Sequence, residues 1–406
     1  MNMPSVCLYF QVHQPRRLRH YTFFDIDHNH DYEDEEKNRL ILNKVAEKCY
    51  LPANRIMLNL IRRYRGDFRI SYSITGTVID QLEKYRMDVL DSFKRLADTG
   101  CVEFLNETYN HSLSFLFSLR EFKEQVTLHK KKMTSLFGQT GRTFRHTELI
   151  YNNDLAKVVE KMGYRVILAE GADKILGWRS PNYVYQPAGC ESLKLLLRNY
   201  RLSDDVAFRF SNTKWSEYPL MADKYAHWIH HVNRDGDAVI NLFMDYETFG
   251  EHQWQETGIF EFIRMLPREI IKHPAFRFQT PYEAAGDHGP VATLDVPDFV
   301  SWADIDRDLS AWLGNTLQKD AIQTLYAMEA KVRRRKDENI LRTWRMFQTS
   351  DHFYYMCTKY FADGDVHKYF NPYASPYDAY INYMNILDDF SGTMGKRRSV
   401  VREAAS

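Results

Sequence analysis

The sequence is poor in the features that mark several large classes of protein. Lys+Arg and Asp+Glu both number 54, so no formal net charge remains across 406 residues. A polyanion-binding protein needs an excess of Lys and Arg at phosphates, so nucleic acid is not an expected partner. Cysteine is scarce: Cys7, Cys49, Cys101, Cys190 and Cys357 are the five. They are widely spaced and form no CxxC pair, which argues against a disulfide framework and a cysteine zinc site. Scattered thiols fit a reducing compartment. No apolar run approaches the roughly 20 residues that span a bilayer. The first residues, MNMPSVCLYFQVHQP, lack a basic leader, an apolar core of signal length and a small-residue cleavage site. The expectation is a soluble, cytoplasmic protein with no membrane partner. No oligomeric state is implied.

Aromatic residues are abundant, at 14%, with 26 Tyr and 25 Phe. Sugar C–H faces stack on flat rings, although most such rings fill cores. Trp178, Trp215, Trp228 and Trp254 fall in predicted loops or near strand ends, where one or two would stack on sugars; for any single one, core packing is the stronger reading. The length allows one large barrel with a smaller appended unit, or two or three ordinary domains.

Over residues 1–300, short β-rich runs alternate with amphipathic runs, as in a parallel α/β fold. Seven strands are expected: VCLYFQV from Val6, FRISYSI from Phe68, VEFL from Val102, TFRHTE from Thr143, RVILAE from Arg165, LKLLLRN from Leu193 and AVINLFMDYE from Ala238. Several are apolar on both faces, as buried parallel strands are. One helix is expected from Thr77 to Gly100, a second after the capping box Ser118-Leu-Arg-Glu121, and a third from Asn153 to Gly163. Such units build a barrel or a doubly wound sheet, and seven strands favour an irregular barrel. Over residues 301–406 the pattern is helical, with stretches at Trp302–Arg335, Ile340–Lys359 and Tyr377–Phe390. This is an expected α-helical C-terminal unit, packing against the barrel mouth and ending in a basic tail, GKRRSVVREAAS.

Polar residues cluster directly after the strands, where parallel barrels carry their active sites. His13-Gln14-Pro15 follows the first strand and Asn106 to His111 the third. The fourth ends at His146-Thr147-Glu148, the fifth at Glu170 to Asp173, and the seventh at Asp245 to His252. Two chemistries use such a rim. A glycosidase needs one ionised and one protonated carboxyl flanking the scissile bond. A metal hydrolase needs His and Asp ligands with an open position for water. No HExxH or other compact metal motif is present. His28 and His30 lie in the acidic loop FFDIDHNHDYEDEE, which reads as a solvated charge run more readily than as a metal site.

At these residues the sequence resembles glycoside hydrolase family 57, in its intracellular α-amylase-like and 4-α-glucanotransferase branches. Five segments carry the resemblance in order: His13-Gln14-Pro15, GCVEFLNETYNHSL from Gly100, FRHTELIYN around Glu148, MDYETFGEH around Asp245, and Gln348-Thr-Ser-Asp351-His352. The resemblance implies an irregular, incomplete TIM-like (β/α)7 barrel over 1–300 followed by a helical bundle over 301–406. It also implies a retaining glycosidase on α-1,4-glucans or maltooligosaccharides, working through a covalent glycosyl-enzyme with no metal or other cofactor. Glu148 stands at the nucleophile position and Asp245 at the general acid/base position. His13, Gln14, Glu107, His111, Glu247, His252, Asp351 and His352 are the implied substrate-binding residues.

Three departures from the family pattern bear on substrate. HTELIYN lacks the Trp that many members place two residues before the nucleophile. Asp-Tyr-Glu replaces Asp-Gly-Glu, and His352 stands where several transglycosylating members have Trp. Some members of the intracellular branch have lost a catalytic carboxylate; this chain keeps both. Its compact length favours hydrolysis of short α-1,4-linked oligosaccharides. Other readings are 4-α-glucanotransfer or branching by the same pair, a metal-dependent polysaccharide deacetylase using His13, Asp25 and His111, and a glucan-binding protein without turnover. Retention requires the two carboxyl groups to meet at about 5–5.5 Å. Protonation of Asp245 requires desolvation or a second carboxylate, for which Glu247 and Glu251 are the neighbours in sequence.

Overall fold

A computed structural model describes residues 3–232, 238–359 and 371–395. The chain forms two compact units. The first comprises Met1–Pro15, Asn38–His111 and Leu119–Leu309; the second comprises Arg16–Lys37, Ser112–Ser118 and Ser310–Ser406. No helix of the described residues is long and apolar enough to cross a membrane. All five cysteines are buried, and none forms a disulfide among the described residues.

Among the described residues the first unit contains ten strands: β1 (Ser5–Val12), β2 (Ile70–Ile74), β3 (Val102–Phe104), β4 (Thr143–Arg145), β5 (Val166–Glu170), β6 (Val184–Pro187), β7 (Lys194–Arg198), β8 (Val239–Asp245), β9 (Arg277–Phe278) and β10 (Thr293–Leu294). The seven strands read from the sequence are β1 to β5, β7 and β8. The three additional strands have two to four residues, too few to show a period. One sheet runs β3-β2-β1-β8 with β9 also on β1; the other runs β10-β6-β7-β5-β4. Every pairing is parallel except β6 with β7. The described strands thus form an α/β fold with two sheets rather than one closed sheet. A single parallel bridge joins Asn106 to Phe144. The Asn199 N–H also donates to the Asn241 carbonyl at 2.9 Å, beside β7 and β8.

β1 lies at the centre of the first sheet, and all eight of its residues are buried. Apolar side chains on both faces suit a parallel strand covered on both sides. Phe10 packs against Tyr72, Tyr246 and Phe249, with ring centroids 5.3 to 5.6 Å apart. This aromatic cluster ties β1 and β2 to the turn that follows β8.

The helices differ from the sequence reading in three places. The helix expected from Thr77 to Gly100 is two helices, Gly76–Tyr85 and Met87–Ala97. Arg86 breaks it at φ −144° and ψ 60°, while the apolar face continues across the break and had masked it. The stretch expected to be helical from Trp302 begins only at Ser310, because Asp304 and Arg307 take positive φ. It is then divided by Asn315, which caps Thr316–Ala327 through Gln318, and by the stop before Glu329–Arg335. Ile340–Lys359 likewise resolves into Glu338–Met346 and Ser350–Tyr354. The last helix, Pro376–Thr393, matches the sequence reading closely. After Gly395 the basic tail lies outside the described residues.

In the second unit, the chain around Tyr21 to Tyr32 is fastened to the last helix. Asn382 accepts from the Tyr21 N–H at 2.6 Å, and buried Asp389 accepts from Tyr32 at 2.6 Å and pairs with His30 at 2.8 Å. His30 is therefore partnered, not part of a freely solvated charge run. Asp25 spends its carboxylate on Thr22, at 2.7 Å to both the N–H and the hydroxyl.

The Phe10 cluster sets a stability test. Phe10→Ala should cost about 3–5 kcal/mol and Phe10→Leu less, because a cavity opens inside a rigid aromatic group. Guanidinium denaturation followed by tryptophan fluorescence should show a lowered midpoint in that order.

Candidate active site

The C-terminal ends of the parallel strands of the first unit carry most of the polar residues singled out from the sequence. His13 follows β1, Glu107 and His111 follow β3, Glu148 follows β4, and Asp245 ends β8 with Glu247 just beyond. Asp245 is registered opposite Gln11 of β1. Among these, His13, Glu148 and Asp245 remain partly exposed, while Glu107, His111 and Glu247 are buried. The burial pattern separates groups a substrate can reach from groups that support them.

His111 is the hub. Its Nδ1 lies 3.3 Å from Glu107 Oε2 and its Nε2 2.7 Å from Glu148 Oε1. Its ring stacks on His13 at 4.0 Å. Burial alone would lower its pKa, but the two carboxylates outweigh burial and raise it to about 9. His111 is thus a cation at neutral pH. Glu107 is fully buried and also accepts from Gln11 Nε2 at 3.2 Å. Arg145 stands 3.6 Å away. Burial opposes the ionisation of Glu107, yet His111 and Arg145 hold its pKa down to about 2. Read from sequence as a sugar contact, Glu107 sits behind His111 and supports it.

Glu148 lies in a tight turn, Thr147–Leu149, at φ 58° and ψ 26°. His111 and Leu149 also take positive φ. Such left-handed conformations cost non-glycine residues on the order of 1–3 kcal/mol and persist only where surrounding structure enforces them. Here the Leu149 N–H bonds to the His146 carbonyl at 3.0 Å, and the Trp302 N–H bonds to the Glu148 carbonyl at 3.1 Å. Thr147 is held by Thr108 at 2.9 Å. The Glu148 carboxylate receives His111 on one oxygen and the Trp302 indole N–H on the other, at 2.8 Å. Burial disfavours its charge, but the His111 bond and cation, the Arg145 charge and the Trp302 donor hold its carboxyl below the usual range.

Asp245 has the opposite environment. Burial, then the nearby negative charge of Glu148, raise its pKa to about 6, against opposing Arg145, His111 and Arg198. Among the described residues none is shown donating to its carboxylate, whereas Glu148 has two donors. The second carboxylate acting on Asp245 is therefore Glu148, not Glu251, which pairs with Lys44 at 2.5 Å. Glu247 is raised further, to about 8, by burial and by Asp245. It accepts from Tyr50 and from the His13 N–H, the latter at 3.4 Å. Gly250 lets the chain turn away after this segment: at φ 114°, a Cβ there would lie 2.0 Å from the Lys48 carbonyl oxygen.

The remaining sequence-selected residues have diverse positions. Gln14 is nearly buried, and its carbonyl accepts from Gln81 at 2.9 Å. His252 donates its backbone N–H to Glu247 at 2.9 Å, and burial pushes its imidazole down to about 4. His146, buried beside Phe122, is pushed down to about 3 by burial and then by Arg145. Asp351 and His352 belong to the second unit, on the helix Ser350–Tyr354, where His352 is buried beside Tyr383 at 5.7 Å. Trp215 and Trp228 pack on each other at 6.2 Å, while Trp178 is 93% exposed.

Two residues escaped the sequence reading. Arg145 was visible within FRHTELIYN, where an arginine in a buried strand is itself unusual. Trp302 gives no local signal: it lies 154 positions from Glu148, and its spacing predicts a helix. Its ring is flanked by the guanidinium groups of Arg145 at 5.0 Å and Arg198 at 5.6 Å.

Comparison with known proteins supplies the family. The profile of Glycosyl hydrolase family 57 matches residues 7–297. The chain is 45% identical over 397 residues to a provisionally named alpha-amylase of Methanocaldococcus jannaschii, covering 94% of this chain and 83% of that protein. Its fold resembles an alpha-amylase of Thermotoga maritima at a TM-score of 0.62 and 12% identity, covering 97% of this chain and 94% of the other. It also resembles a 4-alpha-glucanotransferase of Thermococcus litoralis at a TM-score of 0.61 and 14% identity, covering 95% of this chain but only 60% of that one. These two likenesses concern the fold alone. With the profile spanning most of the chain and a close relative along nearly its whole length, the protein belongs to glycosyl hydrolase family 57, a family of glycosidases.

Proposed function

We propose that the protein is a retaining, α-amylase-like hydrolase of α-1,4-glucans, with Glu148 as nucleophile and Asp245 as general acid/base. The observation that carries this reading is the opposite environment of two partly exposed carboxyls on one rim, one with two donors and a lowered pKa and the other with a raised pKa. Glu148 is held ionised by two donors and nearby cations, and burial and the Glu148 charge raise the pKa of Asp245 to about 6, so that it keeps its proton at mildly acidic pH. This is the division of labour that glycoside hydrolysis with retention requires. In the same reading the two bridged sheets form the irregular seven-stranded barrel of the family, and the helices of the second unit form its C-terminal bundle.

In the first step Glu148 attacks the anomeric carbon as the glycosidic bond breaks. The departing oxygen takes the Asp245 proton, and a β-glycosyl ester on Glu148 remains. Asp245, now ionised, accepts a proton from water as that water attacks the same carbon. The ester breaks, Glu148 leaves as carboxylate, and the α-configuration returns. His13 would hydrogen-bond a sugar hydroxyl, a role that its partial exposure beside His111 supports. Its Nδ1 is oriented by Thr75 at 2.9 Å. Before the attack, His111 keeps Glu148 a carboxylate. The alpha-amylase name of the 45%-identical relative supports water as the final acceptor.

Two outcomes follow for variants and products. Asp245→Asn should lower kcat by about 10²–10⁴-fold, and Glu148→Gln on the order of 10³-fold or more. With maltooligosaccharides, chromatography should show glucose and maltose accumulating. Longer chains would indicate transfer by the same pair, and unchanged substrate would indicate binding without turnover.

The pH dependence has a definite sign. The general acid must carry its proton, so kcat/KM should fall as pH rises through the raised pKa of Asp245, near 6. The nucleophile must be ionised, so kcat/KM should fall again below the depressed pKa of Glu148. The profile should be a bell with an acidic optimum. A rate that stays flat from pH 6 to 9, or an alkaline limb surviving Asp245→Asn, would remove Asp245 from this role.

A further inference from the structure

Trp302 lies outside the five segments that carry the family resemblance, yet it contacts Glu148 twice. Its indole N–H donates to Glu148 Oε2 at 2.8 Å and its backbone N–H donates to the Glu148 carbonyl at 3.1 Å. One residue therefore fixes both the side chain and the strained backbone of the proposed nucleophile.

The surroundings of Trp302 are built to hold it. It opens a short loop whose ends are tied by Ser301. The Ser301 N–H bonds to the Arg307 carbonyl at 3.2 Å, and its hydroxyl donates to the Asp308 carbonyl at 2.7 Å. The tip is tethered where Lys174 donates to the Asp306 carbonyl at 2.8 Å. Asp304 and Arg307 take positive φ inside this loop. Arg307 is anchored by Glu170 at 2.9 Å and lies over the Tyr200 ring at 3.8 Å. The indole is flanked by Arg145 and by Arg198, and Glu170 and Asp204 fix the latter at 3.1 and 2.5 Å. Two cations on an indole draw electron density from the ring and strengthen its N–H as a donor.

We infer that Trp302 is a positioning residue for the proposed nucleophile: its indole N–H holds Glu148 Oε2 fixed and leaves the other oxygen to His111. This rests on the reading of Glu148 as nucleophile. An ionised carboxylate with both oxygens assigned loses little freedom when it attacks, so the donor acts on kcat rather than on sugar affinity. It also stabilises the charged form, together with His111 and Arg145 and against Asp245.

The test compares three full-length proteins with maltooligosaccharide substrate. Trp302→Phe keeps a ring and removes the N–H. Trp302→His keeps a donor, because imidazole Nε2 lies the same number of bonds from the backbone as the indole nitrogen. Trp302→Phe should lower kcat on the order of 10-fold or more, leave KM within about 3-fold, and move the acid limb of kcat/KM to higher pH. Trp302→His should recover most of the loss and return the limb. An unmoved acid limb with a raised KM would make Trp302 a sugar platform and overturn the inference, as would equal loss in the two variants. Should Trp302→Phe fail to fold, 3-benzothienylalanine at position 302, which swaps only the N–H for sulfur, gives the same comparison. Glu148→Gln separates the two levels. Activity surviving Glu148→Gln removes the nucleophile assignment itself, whereas its loss together with an unmoved limb in Trp302→Phe removes only the role of Trp302.

Discussion

The ion pair that His111 makes with two carboxylates is the constraint on which the site depends. A buried imidazolium is costly alone, and so is a buried carboxylate. Together, Glu107 and Glu148 stabilise the charge on His111, and His111 stabilises theirs. At roughly 3 Å such pairs are worth several kcal/mol even at an effective dielectric near 20. The arrangement has direction. Glu107 is enclosed and supports His111 from behind, while Glu148 reaches the open side of the rim. The negative charge so fixed on Glu148 then raises the pKa of Asp245. Through His111, one buried glutamate thereby contributes to the charge balance of two carboxyls it does not touch.

The strain at this point has a structural rationale. Glu148 and His111, the two ends of the key hydrogen bond, both take positive φ without being glycine. Either conformation is unfavourable alone, and each is held by several bonds to other strand ends. β4 is only three residues long for the same reason: the chain leaves the ladder at His146 to make the turn that presents Glu148. The sheet yields a rung so that the carboxylate can face the rim.

How much of this was legible beforehand divides along physical lines. The long buried strands stood out because unbroken apolar runs such as SVCLYFQV have few other uses. Glu148, Asp245, His13 and His111 were legible because polar residues directly after such strands are exceptional and followed an ordered family pattern. Their division into reachable and enclosed groups was not legible, since burial depends on neighbours distant in sequence: Glu107 reads like Glu148 until His111 is seen between them. Arg86 shows another limit, because a break in a helix leaves hydrophobic spacing intact. Trp302 shows a third. Its helical spacing was real on paper, but contact with strand ends governs the segment. The two short strands β9 and β10 carry too few residues for any pattern to register.

The pairing of β1 has a consequence for synthesis. Its ladder partner β8 lies about 230 residues further along the chain, and residues from Ser5 to Gln11 meet residues from Val239 to Asp245. At a synthesis rate of about 5–20 residues per second, a nascent chain carries an apolar strand lacking this partner for on the order of 10–50 s. β2 offers a partner much earlier, but only over Tyr9 to Val12. The same centrality that lets β1 organise the rim makes it the segment with most need of shielding during translation, whether by the cellular machinery or by transient collapse onto the helices that follow it.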